Sequence, residues 1–240
     1  MSNKRNKLSC AMMAQNPQSQ VDNQIQFKEE VDEWNLKWEK NDNIVTYCLI
    51  KDTKDILGDS LEKRAVNLAM DTWNVEIPLE LQSVNKDQNP DIRIEFTDSN
   101  DDWFKVNPSL AYAHFPGTEN QGTIKFNDDY YWSLDGKPKP SPDDPTGKTI
   151  VSTYNFLHTL IHEIGHGLGL PHAKEDAKDS VMYYNYNGRL DLSKNDIERI
   201  VEKYRKREWT HEGQYERRKK VLGMRVRDFD KRILKLKSIT

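Results

Sequence analysis

Apolar and polar residues alternate in three short stretches of the chain. They are Asp91–Phe96, Leu110–Phe115 and Gly122–Phe126. Alternation with a period of two places the apolar side chains on one face of an extended chain, so each stretch predicts a half-buried strand. Asn43–Asp52 is short and rich in β-branched and aromatic residues, and it predicts a further strand.

Three other segments show the spacing of an amphipathic helix. The first begins behind Asp59 or Ser60, either of which can cap it. The second runs from about Ser152 to Leu168, and the third has Ser193 as its N-cap. The apolar positions expected to face the core are Leu61, Ala65, Leu68 and Ala69 in the first helix, Phe156, Leu160, Ile161, Ile164 and Leu168 in the second, and Ile197, Ile200, Val201 and Tyr204 in the third.

The predicted elements follow the order strand, helix, several strands, helix, loop, helix. That order predicts an α+β domain in which a mixed sheet packs on helices. Ser133–Thr149 contains four prolines, which predicts a surface loop. Residues 1–35 are rich in Asn, Gln, Lys and Ser and show little periodicity, which is typical of a disordered polar extension.

Composition and charge separate the end of the chain from its body. Of the 240 residues, 35% are hydrophobic and 31% charged, and the large aromatic side chains allow one buried core. The net charge of −3 combines −12 over residues 1–202 with +9 over residues 203–240. No run reaches the roughly 18 apolar residues of a membrane span. Residues 1–20 lack the apolar region of a secretory signal peptide.

The basic segment has an apolar pattern of its own. Its apolar residues follow each other at steps of four and three, as in a coiled-coil seam, and they are Leu222, Val226, Phe229, Ile233 and Leu236. The pattern predicts a basic helical extension over residues 205–240. This helix either packs on its own domain, or self-associates, or contacts a polyanion such as an anionic membrane or nucleic acid. No recognised nucleic-acid module supports the nucleic-acid option.

The stretch HEIGHGLGLPH, which starts at His162, holds three of the six histidines. His162 and His166 lie one turn apart on one helix face, within reach of one ion. Gly169 can take a left-handed conformation that ends the helix, and Pro171 prevents the helix from resuming. The chain then turns back, so His172 can reach the same ion.

Three neutral imidazoles and one open position are typical of a catalytic zinc site, whereas four protein ligands usually close a structural one. Glu163 follows His162 directly and points about 100° away around the helix, at the edge of the ligand face. There it can take a proton from a water molecule whose pKa the zinc has lowered. The alternative is a set of helix histidines satisfied by other partners.

With these residues the chain resembles the metzincin metallopeptidases, whose signature H-E-x-x-H-x-x-G-x-x-H is followed by a methionine turn. DSVMYY supplies that turn through Met182, ten residues after His172. Within the metzincins the chain is most similar to the matrixins, the matrix metalloproteinase family, over residues 36–204. The segments that carry the likeness include AVNLAMDTWNVEIPLEL, DIRIEF, LAYAHFPG, IKFNDDYYW and LSKNDIERIVEKY. The resemblance implies a mixed twisted sheet with an active-site helix and a C-terminal helix, and one catalytic zinc.

The resemblance also implies where a substrate binds. An extended peptide is expected to pair with the edge strand formed by Leu110, Ala111, Tyr112 and Ala113. Tyr184 and Tyr186, after the methionine turn, are expected to line the S1′ pocket. Met182 is expected to lie under the zinc as an apolar floor that does not bind it.

The chain departs from the family at the second, structural zinc. Two of its ligand positions carry Tyr112 and Lys125, neither of which can serve, so this zinc is expected to be absent. Cys10 lies in KLSCAMM, which does not match the family's P-R-C-G latency motif. A thiolate at that residue is nevertheless chemically able to bind the open zinc position.

Calcium binding stays open. Asn127 and Tyr130 stand where the family has an Asp and a Glu. Asp128 and Asp129 are then either calcium ligands or a solvated pair.

The hypothesis from the sequence is a zinc-dependent endopeptidase that hydrolyses protein or peptide substrates. Two alternatives come from other classes: a non-catalytic matrixin-fold protein that binds a host or matrix ligand, and a zinc hydrolase of non-peptide amides. The intact Glu163 argues against the first, because a binding protein needs no base. The family resemblance implies a secreted, extracellular protein, although no signal peptide is visible.

Overall fold

The structure is a computed structural model that describes residues 9–13, 35–56, 60–209 and 212–237. Its strands are β1 Ser9–Met13, β2 Ile44–Lys51, β3 Glu80–Ser83, β4 Ile92–Thr97, β5 Ser109–His114, β6 Thr123–Asn127, β7 Trp132–Ser133, β8 Lys139–Pro140, β9 Ile150–Val151 and β10 Tyr154–Asn155. Its helices are α1 Leu61–Asn74, α2 Phe156–Gly167, α3 Lys194–Tyr204 and α4 Glu212–Lys237, with a short 3₁₀ helix at Lys86–Gln88.

Six strands form one mixed sheet in the order β1, β5, β6, β4, β2, β3. Strands β3, β2, β4 and β6 run parallel to one another, and β5 is antiparallel to β6. Helix α2 packs against β5, β6 and α1, so the sheet and two helices enclose one core. The predicted α+β fold with a mixed sheet is confirmed.

The sequence pattern located the long elements to within a few residues. Helix α2 begins at Phe156 rather than near Ser152, because the side chain of Asn155 caps it by accepting a hydrogen bond from the backbone N–H of His158 (3.0 Å). Ser193 caps α3 as predicted, since its hydroxyl accepts from the N–H of Asp196 (3.2 Å). Ser60 makes no side-chain capping bond to α1, and Asp59 lies outside the described residues.

Two very short strand pairs frame the segment predicted as a surface loop. Strand β7 pairs in parallel with β10, and β8, which lies within the segment, pairs antiparallel with β9 directly after it. The first pair places Ser133 beside Asn155, the N-cap residue of α2. Two-residue strands are too short to show a period, so no sequence pattern predicted either pair.

Several hydrogen bonds hold the C-terminal end of α2 in place. The indole Nε1 of Trp38 donates to Gly167 O (2.8 Å), and the hydroxyl of Tyr204 donates to Leu168 O (2.9 Å). Near the middle of the helix, Trp73 Nε1 donates to Ile161 O (2.9 Å). The first residues of the domain, α1 and α3 therefore all fix the helix that carries the predicted zinc ligands.

Strand β1 lies inside residues 1–35, for which a disordered extension is predicted. Its backbone pairs antiparallel with β5, from Ser9 opposite His114 to Met13 opposite Ser109. The pairing depends on an open sheet edge and not on any period within the strand, which is why the local pattern does not indicate it. The other residues of 1–35, except Asn35, lie outside the described residues.

Helix α4 packs on α1 through charged and apolar contacts. Arg225 pairs with Asp71 of α1 (2.6 Å) and Lys219 with Glu76, two residues after α1 (2.7 Å), while Phe229 is buried. The predicted apolar seam is partly buried at Leu222 and Val226, and the side chains of Ile233 and Leu236 lie outside the described set. Within the part of the chain that the structure describes, no helix is long and apolar enough to cross a membrane.

Phe229 tests the attachment of α4. We expect Phe229→Ala to lower the free energy of unfolding by roughly 3 kcal/mol, because it leaves a cavity against the core. Val221 lies on the same helix but is 44% exposed, so Val221→Ala should change stability by less than about 0.5 kcal/mol. Chemical denaturation measures both, and equally small effects would contradict the packing of α4.

Candidate active site

Three histidines converge at the end of α2 and in the loop that follows it. His162 and His166 lie on α2, and His172 lies in the loop. Their ligand atoms are all within 4.8 Å of one another. Among the described residues, this is the one such group of three or more His, Cys, Asp or Glu.

Backbone carbonyls orient two of the imidazole rings. His162 Nδ1 lies 2.7 Å from Val181 O, and His166 Nδ1 lies 2.6 Å from Leu170 O. Because a carbonyl only accepts, each Nδ1 carries the proton and donates, which leaves each Nε2 with a lone pair. Such bonds are the usual support of histidines that bind metals.

The two Nε2 atoms of His162 and His166 are 3.0 Å apart. Two lone pairs at this distance repel each other unless a cation or a proton lies between them. An all-imidazole donor set suits zinc. The arrangement therefore fits a zinc ion held by the three histidines.

Burial keeps the three rings neutral. It lowers the pKa of His162 and His166 well below the ordinary value, and the neighbouring histidines lower both further. Burial also lowers the pKa of His172 to about 4, with a smaller effect from the positive charge of Arg199. Neutral imidazole is the form that binds a metal, so at pH 7 the site is ready to do so.

The turn after α2 brings the third histidine back to the other two. Gly169 has a φ of +93°, and a Cβ there would lie 2.0 Å from Leu36 O. The N–H of Leu170 then donates to Gly165 O (2.9 Å), which closes the turn. The structure thus has the turn that Gly169 and Pro171 predicted.

Met182 packs directly beneath the ligand helix and is fully buried. A Cβ on Gly165 would lie 2.3 Å from Met182 Sδ, so only glycine allows this close approach. The N–H of Ala173 donates to Met182 O (2.8 Å), which ties the methionine turn to the loop of His172.

Glu163 is fully buried and follows His162 on α2. It lies one residue around the helix from His162, a predicted ligand, which is the position expected of a base that acts on a metal-bound water.

Two residues of α3 that the sequence interpretation did not single out support the site. Asp196 accepts hydrogen bonds from the N–H of Val181 (2.9 Å) and from the hydroxyl of Ser180. Arg199 donates from Nη2 to Pro171 O (2.8 Å) and to His172 O (3.2 Å). An acidic and a basic residue three apart on an otherwise amphipathic helix are a weak signal, and only the fold shows what they contact.

The residues expected to contact substrate lie on β5 and after the methionine turn. Tyr112 is buried, and its hydroxyl donates to Asp101 (3.2 Å). The hydroxyl of Tyr186 accepts from the N–H of Asn155 (3.2 Å). Tyr184 is 36% exposed, and its ring centroid lies 6.4 Å from that of His172. Leu110, Ala111 and Ala113 are fully buried in β5.

Tyr112 and Lys125, which stand at the family's structural-zinc positions, share a carboxylate. Lys125 Nζ lies 2.8 Å from Asp101 and 3.4 Å from Glu95. Burial acts to raise the pKa of Asp101, but hydrogen bonds, first from Lys125, overcome this and lower it. The Lys125 ion pair fastens the segment around Asp101 to β6, and the Tyr112 hydrogen bond fastens it to β5.

The two acidic residues considered for calcium both bind protein groups. Asp128 Oδ1 accepts from the hydroxyl of Thr53 (2.6 Å), and Asp129 Oδ2 accepts from the N–H of Ser99 (3.0 Å). Burial raises the pKa of Asp128. Calcium binding stays an open prediction.

Gly165 offers a test of the methionine floor. Gly165→Ala should lower the free energy of unfolding by about 1–3 kcal/mol, because the new methyl overlaps the sulfur of Met182. Gly167, in the same helix, has only ordinary contact with Ile124 at 3.4 Å, so Gly167→Ala is the matched control. Thermal and chemical unfolding compare the two, and equal stabilities would show that the methionine does not pack as described.

Acid should destabilise the chelator-treated protein. His158, one turn before His162, is buried, and burial lowers its pKa to about 4. The unfolded chain takes up this proton near pH 6.5. The stability that neutral His158 gives the folded state is therefore complete above about pH 6.5. About 3 kcal/mol of it is lost as the pH falls toward 4. Denaturation at several pH values measures this loss of stability. The His158→Gln variant should lose less stability over this pH range than the wild-type protein. An equal loss in both proteins would show that His158 is not its source.

Comparison with known proteins supports the same interpretation. The matrixin family model matches residues 37–205. Matrilysin of Felis catus is 35% identical over 175 residues, which are 68% of this chain and 59% of that protein. Stromelysin-2 of Rattus norvegicus is 31% identical over 177 residues, which are 70% of this chain and 33% of that protein.

Matrix metalloproteinase-2 of Drosophila melanogaster is 32% identical over 151 residues, which are 61% of this chain and 18% of that protein. The chain thus spans less than two thirds of the length of these relatives. Because the family model covers most of the chain and includes the histidine site, this chain belongs to the matrixin family of peptidases.

Proposed function

We propose that the chain is a zinc-dependent endopeptidase with His162, His166 and His172 as metal ligands and Glu163 as general base. The observation that carries the proposal is the convergence of the three neutral imidazoles beside the buried Glu163. A zinc ion at this position supplies a Lewis acid that acidifies a water molecule and polarises the scissile carbonyl.

The chain's own residues then move the proton. Glu163 accepts a proton from the attacking water while the water oxygen forms a bond to the carbonyl carbon. It delivers that proton to the amide nitrogen as the C–N bond breaks, which releases a carboxylic acid and an amine. During these steps the packing of Met182 and the hydrogen bonds from His162 and His166 to backbone carbonyls hold the two rings in place.

The edge of β5 is proposed to bind the substrate backbone at Leu110, Ala111, Tyr112 and Ala113. The pairing of β1 with this edge supports the proposal, since it is the contact that an extended antiparallel peptide would make. Strand β1 also contacts α2, the ligand helix. Residues 9–13 therefore occupy the place proposed for the substrate.

Tyr184 and Tyr186 are proposed to line a pocket for an apolar side chain on the leaving-group side of the scissile bond. The ring of Tyr186 contacts that of His158 edge to face, with centroids 4.7 Å apart, which supports a rigid aromatic wall. Protein substrates and an extracellular site of action follow from family membership and are part of the proposal.

Glu163→Gln separates catalysis from metal binding. The amide cannot accept the proton, so cleavage should fall by about 10²–10⁴-fold, while zinc content should stay at the wild-type level. Cleavage-site profiling of a proteome-derived peptide library by mass spectrometry tests the activity, with this variant as the control. Wild-type turnover by the variant would remove Glu163 from its role, and no cleavage by the zinc-loaded wild-type protein would favour a binding protein.

Deleting residues 1–13 should open the edge of β5. Deleting residues 1–8 keeps β1 and is the matched control. We expect the longer deletion to lower KM for peptide substrates, because no internal strand competes for the edge. Steady-state kinetics on both variants, with their N-termini checked by mass spectrometry, measures the difference. Equal KM values would show that β1 does not compete with the substrate.

A further inference from the structure

Two residues of α3 each contact one of the two segments beside the proposed metal site. Asp196 and Arg199 are three residues apart and share one helix face. Asp196 binds the methionine turn, whereas Arg199 binds the loop that carries His172. One helix therefore fastens both segments that surround the ligands.

The loop of His172 has three consecutive carbonyls that accept from side chains. Leu170 O accepts from His166, while Pro171 O and His172 O accept from Nη2 of Arg199. Pro171 has no N–H with which to make a backbone bond in return. Two side chains thus supply the hydrogen bonds to the carbonyls around the third proposed ligand, and Arg199 is the one of the two outside the proposed ligand set.

Arginine suits this contact, in which one nitrogen, Nη2, donates to two carbonyls. Its guanidinium is planar and remains charged, and it gives charge-assisted hydrogen bonds in a fixed geometry. Arg199 is half-buried, so water competes less for these bonds. A lysine would offer the charge without the planar fork.

We propose that Arg199 is a positioning residue that holds His172 in the geometry needed to bind zinc. It contacts the backbone of the third proposed ligand and is not itself a metal ligand. The inference rests on the proposed function to the extent that the three histidines bind zinc. Supporting groups of this kind typically change metal affinity by about 10–100-fold when they are removed.

Arg207 provides a matched control within the same chain. It too is half-buried and donates to two backbone carbonyls, from Nε to Ile77 O (2.7 Å) and from Nη2 to Leu79 O (2.5 Å). These carbonyls follow α1 and lie before β3, outside the ligand loop and the methionine turn. Arg207→Met therefore removes comparable hydrogen bonds without touching the third ligand.

The experiment compares full-length Arg199→Met and Arg207→Met with the wild-type protein. Zinc dissociation constants are measured by competition with a chromophoric chelator, and the visible absorption of the Co²⁺-substituted proteins reports ligand geometry. We expect Arg199→Met to bind zinc about 10–100-fold more weakly, with altered Co²⁺ bands. The zinc dissociation constant of Arg207→Met should stay within about twofold of the wild-type value. Arg199→Lys should bind zinc more tightly than Arg199→Met but more weakly than the wild-type protein.

Unchanged zinc affinity and Co²⁺ bands in Arg199→Met would overturn the inference, and so would an equal loss in Arg207→Met, since that would indicate a general effect of stability. If Arg199→Met does not fold, Arg199→Lys decides by the same measurements, and wild-type values in it would count against the inference. Failure of the wild-type protein itself to bind zinc would instead overturn the proposed function.

Discussion

The hydrogen bonds from imidazole Nδ1 to backbone carbonyls are the interaction on which the site depends. They turn the rings of His162 and His166 so that their Nε2 atoms face each other at 3.0 Å. The two accepting carbonyls belong to Val181, in the methionine turn, and to Leu170, in the turn after α2. The geometry of the proposed ligands is therefore set by backbone segments that the rest of the fold must hold in place.

The surrounding fold holds those segments from several directions. Trp38 and Tyr204 bind the last carbonyls of α2, and Asp196 and Arg199 bind the two segments that follow. The buried rings stay neutral because burial disfavours their charged form. Burial of neutral rings thus serves both the fold and metal binding, because a protonated ring could not bind a metal and would be costly to bury.

The sequence predicted the elements whose signals are local. Helical or strand periodicity located β4, β5, β6, α1, α2 and α3, and β-branched and aromatic composition located β2. The spacing of His162, His166 and His172 predicted their convergence through the turn at Gly169. Local patterns do not show which elements meet. The position of β1 on β5, the packing of α4 on α1 and the contacts of Asp196 and Arg199 depend on long-range pairing, to which no short period corresponds.

X-ray absorption at the zinc edge tests the central claim most directly, because it reports the atoms around the metal in the protein as purified. The account predicts one zinc ion per chain, with first-shell N/O scatterers at about 2.0–2.1 Å and the outer-shell pattern of three imidazoles. A sulfur ligand, fewer than three imidazoles, or a protein that takes up no zinc would contradict it.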